Sequence, residues 1–351
     1  LTRSERQLHL EPAQAASVAP IPGPRHPAPA AGTARIAVDL LGGDHAPAVV
    51  VDGALLACSA DPDLHLLLVG PRAVADEVIA MLPAAQRRRV AVCEVAGAVG
   101  MADPPLRAVR TDTSVRAALG AIADGRADAV VSAGHSGAAV TAAVHALGRL
   151  RGVRRPALAA TLPTLSGPVA LLDVGANTEA SARVLMQHAL LGAAYALVAN
   201  GLPAVRVGLL SNGTEPGKGD RARRAADAAL AAEIEAARLP GAVSYAGTVE
   251  GYDVPLGGPA DVIVTDGFTG NVLLKGIEGA YALAAGREHP TAPRAATLLG
   301  IAGTVVICHG NATGTDIASG IALAARLHRT GATARIAEVV PPAASKGEVS
   351  T

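Results

Sequence analysis

The chain has 351 residues, half of them hydrophobic, yet its only aromatics are four Tyr and one Phe. Thirty Lys and Arg balance thirty Asp and Glu, so no global field draws in a polyanion. With no Trp there is also no platform on which bases could stack, and both facts argue against nucleic-acid binding.

Residues 1–33 hold six Pro and seven Ala with no apolar period and read as a disordered leader. They carry charge and lack the apolar core of a secretory signal, so a chain starting near Gly32 is expected to fold. From Arg35 the texture changes. Short apolar runs at 36–41, 64–69, 90–95, 129–132, 169–174, 205–210, 261–265 and 304–307 are continuous rather than alternating, as strands buried on both faces require. Between them lie helix candidates at 47–59, 115–124, 138–150, 179–198, 220–238 and 313–328. Strand and helix in alternation predict a Rossmann-like three-layer α/β fold, a mainly parallel sheet with helices on both faces, over 34–331. The tail 332–351 is short and polar, and no element is assigned to it. No stretch reaches the ~18 uninterrupted apolar residues of a membrane span. Cys58, Cys93 and Cys308 stand apart with no ligand spacing, which argues against a disulfide framework and a zinc site.

Polar residues and glycines gather where the strands end. Asp39 leads into Gly42, Gly43, Asp44 and His45, and Ser132 into Gly134, His135, Ser136 and Gly137. Asp173 leads into Asn177, and Leu210 into Gly217, Lys218 and Gly219. Asp266 opens the stretch holding Gly270 and Asn271, and Cys308 is followed by His309. In a parallel sheet the carboxyl ends of all strands lie on one edge, where such folds bind ligands, so these six loops are expected to meet at one rim and form a site. Glycines let backbone N–H groups approach an anion, and the helix N-termini add partial positive charge. Asp39 and Asp173 end buried strands, where an unpaired carboxylate is costly, and are read as loop organisers in preference to substrate contacts. Asn271 would serve equally as the cap of a helix beginning near Val272. The standard fingerprints fail: the 213–219 loop is one residue short of a P-loop, and the second glycine of Gly134-His135-Ser136-Gly137 comes one place early for a nucleophile elbow. Cys308 and His309 are neighbours on a strand and point to opposite faces, so they form no dyad.

With these motifs in view, the chain from Arg35 to about His328 resembles the bacterial phosphate acyltransferases of phospholipid synthesis, the PlsX family. The resemblance rests on Val38-Asp39-Leu40-Leu41-Gly42-Gly43-Asp44-His45-Ala46-Pro47, Ser132-Ala133-Gly134-His135-Ser136-Gly137 and Arg155-Pro156-Ala157-Leu158. It continues in Leu172-Asp173-Val174-Gly175-Ala176-Asn177, Asp266-Gly267-Phe268-Thr269-Gly270-Asn271-Val272 and His309-Gly310. It implies a cytoplasmic homodimer that converts acyl-[acyl carrier protein] and inorganic phosphate to acyl phosphate without metal or nucleotide cofactor. The product would be handed to a membrane glycerol-3-phosphate acyltransferase. Lys218 and Asn271 are the catalytic pair that the resemblance implies, with Asn177 and the loop residues above binding phosphate.

Two departures matter. His135 stands where the family usually has Asn. The 276–293 segment is much shorter than the helical hairpin through which the family dimerises and touches membranes. Eighteen residues give at most ~27 Å of helix, and Gly286, Pro290 and Pro293 interrupt it. Membrane association is therefore not expected of it. An acyl-CoA-dependent phosphate acyltransferase and a non-catalytic carrier-binding relative are the competing readings.

Overall fold

A computed structural model describes residues 32–237, 239, 242–284 and 295–340. Strands β1 (Ala34–Asp39), β2 (Leu64–Gly70), β3 (Val90–Glu94), β4 (Ala129–Ser132), β5 (Ala157–Thr164), β6 (Gly167–Leu172), β7 (Ala204–Ser211), β8 (Ala242–Glu250), β9 (Val262–Val264), β10 (Ala295–Leu299) and β11 (Thr304–Cys308) form one sheet. Its order is β3-β2-β1-β4-β11-β10-β5-β6-β9-β7-β8. The helices are α1 (Ala48–Ala60), α2 (Arg72–Met81), α3 (Ala84–Arg87), α4 (Arg107–Arg110), α5 (Ser114–Ala123), α6 (Ser136–Leu147), α7 (Ala182–Ala199), α8 (Arg221–Ala237), α9 (Asp253–Leu256), α10 (Gly267–Ala284), α11 (Gly314–Arg329) and α12 (Ala332–Val339).

Alternation along each strand sends side chains to two cores. Ile36, Val38, Leu66, Leu68, Leu172 and Val264 pack under α1, α2, α7, α8, α11 and α12. Ala37, Leu67, Val69, Leu171 and Ile263 pack under α5, α6 and α10. Both cores run the full width of the sheet, so the three-layer expectation holds. Small side chains let the layers approach: a Cβ at Gly192 would lie 2.6 Å from Val262 Cγ1.

The sheet is not parallel throughout, and this corrects the single-edge reading. β10 runs antiparallel to both β11 and β5, and β5 antiparallel to β6. β1, β2, β3, β4 and β11 therefore share one direction, while β6, β7, β8 and β9 run the other way. The loops after β1, β4 and β11 leave one edge of the sheet, and those after β6, β7 and β9 leave the opposite edge. The reversal begins at the β5–β6 connection, whose two residues Leu165 and Ser166 permit a hairpin only.

Further differences are local. α10 begins at Gly267, with Asp266 accepting from the Thr269 amide at 2.9 Å, so Asn271 lies in the second turn and caps nothing. The part of the shortened segment that falls on described residues, 276–284, continues α10; the rest lies outside them, as do residues 1–31 of the leader. The 332–351 tail contains α12, which buries Ala332 and Ile336 against the core under α7 and α11. α7 is long and apolar enough to cross a membrane, but it is a core helix that buries Leu185, Leu191 and Tyr195.

Candidate functional site

The loops of the two edges meet because the sheet is twisted. Four strand steps separate β4 from β6. At about 20–25° each they turn the two strands by roughly 90°, which swings diagonal corners of the sheet toward the same face. Between those corners lies a cavity of about 640 Å³ lined by Met101, His135, Ser136, Gly137, Arg155 and the 175–179 loop.

On the first edge the 42–45 and 134–137 loops lock together. Asp39, at the end of β1, is buried and accepts from Ser132 Oγ at 2.7 Å and the Leu41 amide at 3.2 Å. Ser132 Oγ in turn accepts from the Gly134 amide at 3.1 Å. Burial pushes the Asp39 carboxyl above the usual carboxylate range, partly offset by hydrogen bonds from Ser114 and Ser132. Gly42 must lack a side chain, because a Cβ there would lie 2.7 Å from the Gly134 nitrogen. The Asp44 amide donates to Gly310 at 2.7 Å, and Gly43 reaches this turn at φ +117°. These residues fix the loop that starts α6.

At that helix start His135 is the N-cap, its Nδ1 accepting from the Ala138 amide at 3.3 Å. The amides of Ser136 and Gly137 make no hydrogen bond among the described residues and face the anion-attracting end of the helix. With Nδ1 used as acceptor, a neutral His135 carries its proton on Nε2 and offers a donor. An Asn would offer the same pair of functions, an oxygen to cap with and an N–H to give.

From the other edge, Asp173 organises the loop after β6. Fully buried, it accepts from the amides of Leu158 (3.1 Å), Gly175 (3.1 Å), Ala176 (2.8 Å) and Asn177 (2.7 Å) and from Asn177 Nδ2 at 2.7 Å. Asn177 Nδ2 also donates to the Pro156 carbonyl at 2.7 Å, so both its amide hydrogens hold the loop and the start of β5 together. The Arg155 guanidinium lines the cavity with no hydrogen bond or ion pair among the described residues. Among the residues lining the cavity, Glu179 supplies the carboxylate.

α10 is pressed onto this loop. The Gly267 amide donates to the Asn177 carbonyl at 2.7 Å, and a Cβ at Gly267 or Gly270 would overlap the carbonyls of Asn177 and Asp173. Asn271 Nδ2 donates to the Val174 carbonyl at 3.0 Å, beside Gly175. The outer side of the same turns walls a second cavity of about 650 Å³, where Phe268 and Val272 stand exposed opposite Asn212, Gly219 and Arg223. Lys218 lies beside Gly219, half exposed, with Nζ 3.8 Å from Glu215. Gly217 and Gly219 take φ values of +88° and +85° in this loop. Thr269, Asp266 and Arg223 tie α10 to α8, with Arg223 donating to Asp266 at 2.5 Å.

The six loops thus form two groups rather than one ring. Gly42, Gly43, Asp44, Gly134, His135, Ser136 and Gly137 belong to the first edge; Asn177 faces them across the cavity, and Gly270 and Asn271 of α10 back its loop without lining the cavity. Gly219 lines the second cavity on the far side of α10, while Gly217 and Lys218, its neighbours in the loop, do not. His45 is exposed, and His309 pairs with Glu278 of α10 at 3.0 Å.

Residues 34–286 match the model of the family described as "Fatty acid synthesis protein". The phosphate acyltransferase of Rhodobacter capsulatus is 38% identical over 350 residues, covering 89% of this chain and 85% of its own length. That of Thermobifida fusca (strain YX) is 40% identical over 328 residues, covering 85% and 89%. The chain belongs to the phosphate acyltransferase family. The fold agrees: EutD phosphotransacetylase from Staphylococcus aureus superposes with a TM-score of 0.58 at 16% identity, covering 84% of this chain and 94% of its own. A branched-chain phosphotransacylase from Enterococcus faecalis V583 gives 0.58 at 14%, covering 84% and 99%.

The cavity-lining residues not anticipated from the loops are Met101, Arg155, Thr178 and Glu179. Arg155 opens the Arg-Pro-Ala-Leu stretch, so a signal for it existed; nothing in the sequence marks Met101. No group of three or more His, Cys, Asp and Glu that could hold a metal occurs among the described residues. Burial pushes the Cys308 thiol up to about 12, which leaves it no thiolate character.

Proposed function

We infer that this chain is an acyltransferase that moves an acyl group from a thioester onto inorganic phosphate, producing acyl phosphate for phospholipid synthesis, and that its donor is acyl-[acyl carrier protein]. The observation that carries this reading is the convergence, in one cavity, of two free amides at the start of α6 with the unpaired Arg155 guanidinium. Together these are the elements of a phosphate site. Family membership supplies the reaction class; the donor and a cytoplasmic homodimer come from the sequence resemblance.

The chemistry needs no covalent enzyme intermediate. A phosphate oxygen attacks the thioester carbonyl and forms the new C–O bond, and the carbonyl oxygen takes up negative charge. That oxyanion collapses, the C–S bond breaks, and the thiolate leaves with the proton that phosphate gives up. The protein supplies position and fixed donors, which is where most of the rate enhancement of such steps arises. Phosphate sits against Ser136, Gly137 and Arg155, with His135 Nε2 as a further donor. Asn271 lies beside Gly175 of the first cavity's wall, and Lys218 adjoins Gly219 of the second, whose Phe268 and Val272 give the acyl chain an apolar wall. Lys218 and Asn271 then serve the developing charge, with Lys218 exchanging Glu215 for substrate.

Mass spectrometry of purified protein incubated with phosphate and either acyl-carrier protein or acyl-CoA tests this. Acyl phosphate from the carrier donor is expected. Acyl phosphate from the CoA donor alone would replace the donor assignment, and none from either would remove the catalytic reading.

A further inference from the structure

We propose that the arginine-rich loop 149–155, with Arg183 at the start of α7, is the docking surface for the acidic carrier protein that presents the acyl group. The proposal rests on the acyl-transfer reading above. Elsewhere in the chain Arg35, Arg206, Arg223 and Arg329 each pair with an aspartate within 2.9 Å. Arg149, Arg151, Arg154, Arg155 and Arg183 are exposed and form no ion pair among the described residues. Residues 129–172 contain no Asp or Glu at all, so charge in this stretch has one sign. The facing carboxylate is Glu179, in the cavity of about 820 Å³ that Arg149, Arg154 and Arg155 border.

The loop's backbone is fastened from beneath. Gln187 of α7 accepts from the Arg154 amide at 2.7 Å and donates to the Gly152 carbonyl at 2.9 Å. The Arg149 guanidinium donates to the Arg154 carbonyl. Neither Arg151 nor Arg154 contributes its side chain to this scaffold. Arg183 stands in the first turn of α7, where a cation opposes the helix dipole, so helix stability does not account for it. The patch lies at the mouth of the phosphate cavity, since Arg155 and Glu179 line both. A carrier must dock, deliver its thioester and leave within each turnover. A small, exposed, predominantly positive surface gives fast, salt-sensitive, weakly bound encounters of that kind. A nucleic acid would present the same sign of charge, but the chain offers it neither net positive charge nor exposed aromatic platforms beside the loop.

The test is fluorescence anisotropy of labelled holo-carrier protein, read at low and at physiological ionic strength, against the wild type and R151E/R154E. Wild-type binding should weaken steeply with salt, and the double reversal should weaken it roughly tenfold or more. R151Q/R154Q should fall between, at an unchanged melting temperature. In turnover assays the reversal should raise KM for acyl-carrier protein and leave acyl-pantetheine turnover at wild-type values. Unchanged carrier affinity would overturn the proposal. So would an equal loss with acyl-CoA, which would assign the patch to the CoA nucleotide, or a preference for an oligonucleotide. Absence of acyl phosphate from every donor with wild-type protein would instead defeat the catalytic reading, while the binding measurement stands apart from it.

Discussion

Arg155 and Lys218 separate two kinds of cation. Arg155 has its guanidinium free in a cavity with two free amides, whereas Lys218 is half exposed beside Glu215. If Arg155 holds the phosphate, Arg155→Met should raise KM for phosphate and cut kcat/KM by ~10²–10³, the cost of a lost donor to an oxyanion. Lys218→Met keeps the aliphatic stem and should lower kcat by a similar factor without moving the melting temperature. Steady-state kinetics over a range of phosphate concentrations checks both; near-wild-type rates for Lys218→Met at low and high phosphate would remove Lys218 from the mechanism. A third residue, His188, lies under the site. It is fully buried, with Nε2 3.3 Å from the Arg155 carbonyl and Nδ1 unpartnered. Burial holds its imidazole below the ordinary 6.5, with the Asp173 charge opposing in part. The unfolded chain therefore takes up this proton first. Stability from His188 is present above about pH 6.5 and is lost as pH falls below it. Melting temperature should drop between pH 7.5 and 5.5, and His188→Gln should flatten the drop. Asp39, whose carboxyl is pushed up, works in the opposite sense and does so in the wild type and the variant alike.

At the scale of elements, the glycines of α10 divide by what surrounds them. A Cβ at Gly270 would overlap the Asp173 carbonyl, while nothing lies within 4 Å of one at Gly276. Gly270→Ala should cost ~2–4 kcal/mol, because backbone must move apart at the loop that frames the cavity. Gly276→Ala, in an exposed helix interior, should stabilise by ~0.5–1 kcal/mol. Paired thermal melts read both, and equal shifts would contradict the close packing. The buried strands were legible because β1, β2, β4, β6, β7, β9 and β11 are covered on both faces and so spell continuous apolar runs. β8 was not: it is a sheet edge, where exposed and half-buried residues alternate through Ala242, Ser244 and Ala246. β5 escaped as well, though Ser166-Gly167 after its apolar run is a hairpin signal. Missing that hairpin concealed the reversal, since an apolar run carries no mark of its direction. The site suffered in the same way: its residue types and loops were readable, but which loops face each other depended on strand direction and twist. The Asp39 and Asp173 roles were readable because a buried carboxylate must find donors nearby, and neighbouring loop amides are the cheapest.

Over the whole molecule, each core crosses from one half of the sheet to the other. One joins Ile36 and Leu66 to Val205 and Val262; the other joins Ala37 and Leu67 to Leu210 and Ile263. The halves therefore share their hydrophobic stabilisation and should unfold together. Calorimetry should give a single transition with equal calorimetric and van't Hoff enthalpies, and two resolved transitions would show that the halves are independent. α12 belongs to the same unit, tied by Thr304 and Thr333 hydroxyls 2.8 Å apart. Ending the chain at Gly331 should lower the melting temperature by exposing the surface that Ile336 covers.

The reversal of strand direction also decides how the cavity can change its width. An enzyme whose site lies between two bodies on a flexible link opens like a jaw. Here the bodies are joined by β10, β5 and β6, hydrogen-bonded into one ribbon, and a jaw has no axis to turn on. The aperture is instead a reading of the sheet's torsion. The separation of the two walls is thus set by the twist of a hydrogen-bonded ribbon in which Ala159, Thr297 and Leu298 are paired.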